Sequence, residues 1–165
     1  MVFSSFLEGS FLTLHNLTRW VVLAAAGVAI WRAYRGWLGK RDWLPADDRA
    51  GKFFSYALDV QATLGLILYF FFSSASNLAL ADLGLILTNP VVRFFGLIHI
   101  LAMFIGIGIA QVGRTRIRRA ASSAVKFKRA ALFFSAATLV ILLAIPWEFI
   151  PSIGRPLFRL LGFTL

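Results

Sequence analysis

Apolar positions along the chain gather into four long runs, over about 11–31, 53–73, 91–113 and 130–150. At 1.5 Å per helical residue each run matches one bilayer thickness, so the pattern predicts four transmembrane helices. The stretches between the first and second runs and between the third and fourth are polar and basic. The connection between the second and third is different: 78–87, LALADLGLIL, is too short to cross and too apolar to lie free in water. A short helix resting in the outer interface, or covered by another subunit, fits it. The expected architecture is an all-α integral membrane protein, an up-down four-helix bundle forming a single transmembrane domain over 1–165.

Composition strengthens this reading. The chain has 165 residues, of which 59% are hydrophobic and 15% charged, and its mean hydropathy is +0.80. That balance cannot clothe a soluble surface, and four spans leave no length for a soluble catalytic domain. The absence of cysteine excludes Fe–S clusters, thiolate zinc, covalently attached haem, disulfides and thiol catalysis. The net charge of +10 is placed unevenly. Arg32, Arg35, Lys40, Arg41, Arg49 and Lys52 lie after the first span, and Arg114, Arg116, Arg118, Arg119, Lys126, Lys128 and Arg129 lie after the third. Thirteen of the seventeen basic residues therefore occupy two alternate loops. Both loops are expected to be cytoplasmic, which puts the two termini outside. Membrane insertion and anionic lipid headgroups account for these charges, so no nucleic-acid partner is expected. The N-terminus shows no basic n-region and no small-residue cleavage pattern, and no removed signal peptide is expected. Trp31, Trp37, Trp43 and Trp147 fall near span ends, where an amphipathic ring prefers to sit.

Ionisable groups inside spans are costly and mark the places where chemistry is expected: His15, Arg19, Asp59, His99 and Glu148. His15 lies 17 residues from Arg32, and His99 lies 17 residues from Arg116. The two imidazoles are thus expected at similar depth in the outer half of the membrane. The first and third helices of an up-down bundle are parallel and diagonal, so both can project inward from opposite sides. Two imidazoles so placed meet the needs of a bis-histidine haem, one ligand on each face of the macrocycle. Arg19, one turn after His15, shares its face and could pair with a haem propionate. Gly96, Gly106 and Gly108 would let a cofactor or a helix approach closely. The competing reading makes each histidine an interfacial hydrogen-bonder and the glycines packing positions. Asp59 lies seven residues from Lys52, in the cytoplasmic half, either as an ion-pair partner for Arg19 or as a proton carrier. Glu148, beside Pro146, is either a partner for an arginine or a proton acceptor at a quinol pocket.

At these residues the chain resembles a group of small four-span bacterial membrane proteins labelled cytochrome b-like. The likeness rests on His15-Asn16-Leu17-Thr18-Arg19-Trp20, on Gln61-Ala62-Thr63-Leu64-Gly65-Leu66-Ile67-Leu68-Tyr69-Phe70, on Arg93-Phe94-Phe95-Gly96-Leu97-Ile98-His99 and on Ile145-Pro146-Trp147. In that group one histidine opens the first helix, a second precedes the glutamine of the second helix and a third lies in the third helix. His15 and His99 match the first and third. Asp59 replaces the second, a departure that removes either that position from the ligand set or the cofactor from the chain. The resemblance implies a haem b, a quinone as electron partner and a place in the bacterial inner membrane within a larger respiratory or photosynthetic complex. The alternative is a non-redox accessory subunit of such a complex, holding no cofactor. No spacing for a hydrolytic enzyme is present.

The loop assignment makes a direct prediction. Because the chain lacks cysteine, one introduced beside Arg118 is a unique label site, and in intact cells it should be shielded from a membrane-impermeant thiol reagent. Labelling from outside would invert the topology.

Overall fold

The computed structural model describes residues 2–160 and 163–164, with side chains over 6–158. The fold is all-α apart from one minimal strand pair near the C-terminus. Among the described residues seven α-helices follow in order: α1 (Val2–Leu38), α2 (Pro45–Ile67), α3 (Ser74–Ala81), α4 (Gly84–Thr88), α5 (Pro90–Arg93), α6 (His99–Arg118) and α7 (Ser123–Ala144). Two single π-helical turns, Leu68–Phe72 and Phe94–Ile98, extend α2 and join α5 to α6. The strands are β1 (Arg159–Leu160) and β2 (Phe163–Thr164), antiparallel, with Arg159 opposite Thr164. Among the described residues four helices are long and apolar enough to cross a membrane: Phe6–Leu38, Pro45–Phe72, Pro90–Arg118 and Ser123–Ala144. The protein is a multi-pass membrane protein, as the hydrophobic pattern predicted.

The span ends differ from the sequence-based ones for local reasons. The first and third spans run on past the apolar runs into basic residues, which are good helix formers and favour a helix C-terminus, while the second begins earlier, at Pro45, with Asp47 and Asp48 in its first turn. The fourth begins earlier, at Ser123, and stops at Ala144. Pro146 has no N–H to continue the ladder and disfavours the helical conformation at Ile145. The interfacial segment expected over 78–87 is two helices, α3 and α4. They part at Asp82, whose carboxylate accepts from the Gly84 N–H at 2.8 Å.

The chain divides into two compact units. One comprises Met1–Arg19, Val60–Met103 and Ala144–Leu165; the other comprises Trp20–Asp59 and Phe104–Leu143. The second unit is a four-helix bundle whose core is built from size contrast. On α1, Val22, Ala25, Ala26, Ala29 and Ala33 are buried at helical spacing, and on α7 Phe127, Ala130, Ala131, Phe134, Ala137 and Ile141 are. The phenylalanines seat on glycines. A Cβ at Gly36 would stand 2.1 Å from the Phe127 ring, and one at Gly113 would stand 2.4 Å from Phe133 Cβ. Phe134 meets Phe54 of α2 edge-on, with centroids 5.4 Å apart. In hydrocarbon there is no water to expel, so close steric fit of this kind holds helices together.

Charges close one end of this unit. Asp47 sits in the first turn of α2 behind Pro45, accepting from the Leu44 N–H at 2.9 Å and from Arg32 at 2.8 Å. It is thus half of a capping box and a buried counter-ion at once. Asp48 receives both arms of the Arg114 guanidinium at 2.9 Å, the bidentate geometry that planar partners favour. Trp43 N–H donates to Ser123 Oγ at 3.0 Å, tying the two basic connections together.

In the first unit Ser73 caps α3 and Asn89 caps α5 ahead of Pro90. Tyr69, in the first π turn, donates its hydroxyl to the Gly96 carbonyl in the second at 2.8 Å. A π turn breaks the regular ladder, and here one π turn supplies a donor to a carbonyl of the other.

The steric fit at Gly36 is testable. Gly36→Ala should destabilise the protein by about 1–3 kcal/mol through overpacking against Phe127. Gly27→Ala, at a position with nothing within 4 Å, should be neutral or stabilising by up to about 1 kcal/mol. Unfolding in mixed detergent, followed by circular dichroism, measures both.

Candidate functional site

The first unit brings together three of the five ionisable residues singled out from the sequence: His15 and Arg19 on α1 and His99 at the start of α6. The two imidazoles lie within electrostatic range of each other, and Arg19 lies within range of both. All three are half-buried.

Each histidine is held by a specific partner. His99 Nδ1 lies 2.8 Å from the Ala144 carbonyl. A carbonyl only accepts, so Nδ1 carries the proton and, in the neutral ring, Nε2 keeps the lone pair. Ala144 is available because α7 ends there and its carbonyl has no helical partner. His15 is held by α2. The Gln61 side-chain amide donates to the His15 carbonyl at 3.0 Å and stands 3.2 Å from His15 Nε2, and the Thr18 hydroxyl donates to Gln61 Oε1. An amide nitrogen only donates, so Nε2 of His15 is the acceptor. His15 Nδ1 is buried and has no hydrogen-bond partner among the described residues. It lies beside Gly65, where a Cβ would come 3.1 Å from the ring.

Beyond α7 the chain turns back toward α1. Arg155 N–H donates to the Pro146 carbonyl at 3.0 Å and Gly154 N–H to that of Ile150 at 2.9 Å. Ser152 takes a left-handed φ of 68° within this turn. A side chain at Gly154 would strike three carbonyl oxygens at 2.6–2.8 Å, so the turn requires glycine. The returning segment offers its carbonyls to α1: Arg19 Nη2 donates to Leu157 O at 2.7 Å and Asn16 Nδ2 to Pro156 O at 3.2 Å. Arg155 lies over the Phe95 ring, 4.6 Å from its centroid.

The other two ionisable residues are elsewhere. Asp59 belongs to the second unit, exposed on α2, and its carboxylate accepts from Gln111 Nε2 at 2.8 Å. Glu148 lies not on the fourth span but in the loop after it, exposed, beside the stacked pair Trp147 and Phe149. Of the three glycines, Gly96 packs on Ala79 and Gly106 on Ile141, while Gly108 faces open space. A search restricted to ionisable groups passes over Gln61 and Tyr69. Both are neutral polar residues in an apolar run, and that alone is the signal that could have found them, since a donor in hydrocarbon has to be satisfied.

If Arg19 anchors the returning segment, Arg19→Leu should cost about 1.5–3 kcal/mol, the range for a hydrogen bond from a charged donor. It should also speed chymotryptic cleavage after Phe158, which lies in the returning segment and is exposed, and Asn16→Ala should do so less. Proteolysis in detergent, read by mass spectrometry, ranks the two; unchanged cleavage in Arg19→Leu would dismiss the anchor.

No protein-family model matches the chain, and no curated protein or solved structure matches it at a significant level.

Proposed function

We propose that the chain is an electron-transfer subunit of a membrane complex and binds a b-type haem through His15 and His99. The observation that carries this reading is the gathering of its two histidines, with Arg19, in one compact unit. When bound, haem supplies one-electron chemistry. The donors suit it. His99 keeps Nε2 free for a metal while Nδ1–H is held by the Ala144 carbonyl, the arrangement that orients metal-bound imidazoles and raises their basicity. His15 presents Nε2 to a single amide contact of 3.2 Å, the long end of the hydrogen-bond range, and its other nitrogen is buried without a partner among the described residues. Arg19 supplies the cation for a propionate. The connections over 39–44 and 119–122 are short, so electrons arrive from a lipid-soluble quinol or a docked partner. Glu148, exposed beside Trp147 and Phe149, is the carboxylate offered to a quinol proton. The bacterial inner membrane, with the basic loops in the cytoplasm, is the setting this reading requires.

A second reading, a non-redox accessory subunit, is favoured by one feature: Gln61 engages the His15 ring at Nε2 and Gly65 packs against it, which suits a structural hydrogen-bonder.

The reduced-minus-oxidised visible spectrum of protein purified after haem-replete expression decides between them. A low-spin b-type spectrum is expected, and His15→Ala or His99→Ala should each abolish six-coordinate ligation, since water is a poor axial ligand in a dry site. Wild-type protein without Soret absorption would sink the haem reading and leave the accessory one.

A further inference from the structure

One outward face of the second unit is polar where lipid-facing helices are ordinarily apolar. On α2, Tyr56 and Asp59 are exposed and three residues apart; on α6, Gly108, Gln111 and Thr115 follow at spacings of three and four, Gly108 and Thr115 exposed. Residues at such spacings share a helix face. The hydrogen bond from Gln111 Nε2 to Asp59 joins the two rows into one patch. Asp59 lies seven residues, about 10 Å, from Lys52 toward the middle of its span. Around the patch the exposed side chains are those that lipid accepts: Phe53, Phe104, Ile105 and Val112.

Lipid tails can neither donate to a carboxylate nor accept from an amide, so an exposed pair at this depth is costly in a lone bundle. The Gln111 side-chain amide has two N–H donors. One goes to Asp59, which leaves a second donor beside a carboxylate that accepts at several sites. We propose that this face is the interface of a two-fold symmetric dimer, occupied by a second copy of the chain. The patch is complementary to itself, since donor and acceptor stand side by side. A second copy is inserted in the same orientation by the same basic loops, so it carries the same pair to the same depth. A two-fold axis along the membrane normal then lets each Gln111 bridge its own Asp59 and the Asp59 of the other copy. Isologous contacts of this kind are the commonest in homo-oligomers. The patch also permits close approach: Gly108 is exposed and nothing lies within 4 Å of the place a Cβ would take, the small-residue opening through which membrane helices meet.

The cysteine-free chain makes the test clean. Gly108→Cys, which fits the open space, is purified and reconstituted at high dilution into phosphatidylethanolamine and phosphatidylglycerol vesicles, then oxidised. A disulfide-linked dimer is expected. Leu143→Cys, 75% exposed on α7, reports random collision and should link several-fold less. Adding Asp59→Leu or Gln111→Leu to Gly108→Cys should lower the linked fraction several-fold, with circular dichroism checking that the helices persist. Equal linking at the two cysteine positions, or undiminished linking in a folded Asp59→Leu protein, overturns the proposal.

Discussion

In hydrocarbon no water completes an unsatisfied polar group, and this constraint organises the polar residues of the spans. The donors of Gln61, His99, Arg19 and Tyr69, carried into the apolar runs, are each met by an acceptor from the protein itself. Gln61 serves the His15 ring and backbone and is fixed by Thr18; His99 meets the carbonyl left over at the end of α7; Arg19 meets the carbonyl of Leu157; Tyr69 meets that of Gly96. Apart from the His15 carbonyl within α1, the carbonyls used lie where regular α-helix is interrupted: a helix C-terminus, a π turn and a returning loop. Irregular backbone is tolerated at membrane depth where protein groups complete it, and here that completion also positions the two imidazoles.

The same solvent removes the hydrophobic effect as a force between helices, and packing then depends on shape. The second unit answers with phenylalanine rings set on glycine and alanine surfaces, so that Phe127 on Gly36 and Phe133 on Gly113 set how closely the helices approach. Asp59 apart, its charged residues gather at the end where Arg32–Asp47 and Arg114–Asp48 pin the basic connections. Those connections thus combine two roles. Their net positive charge directs insertion, and two aspartates hold part of it in fixed geometry.

The proposed electron-transfer role and the proposed dimer draw on different units and different residues. The first uses neutral nitrogen donors shielded within the protein, where a metal ligand has to be dry and fixed. The second uses a carboxylate–amide pair turned outward, where exposure itself is the signal. Asp59 is held by Gln111 on an exposed face of α2.

The number and helical nature of the spans were written in the sequence, because runs of about twenty apolar residues bounded by arginine and lysine admit one solution in a bilayer. The end of α7 was written there too, in Pro146, although the length of the apolar run concealed it and carried Glu148 onto a helix it does not join. His15, Arg19 and His99 stood out as ionisable groups in hydrocarbon, which is a property of single positions. Their partners did not. Gln61, the Ala144 carbonyl and the Leu157 carbonyl are 46, 45 and 138 residues away along the chain from the groups they serve. Which neutral donor or spare carbonyl reaches which side chain depends on helix rotation, on the extra residue in each π turn and on the path of the chain after Pro146. Those are fixed by the packing of large rings on small residues, and so by tertiary structure alone.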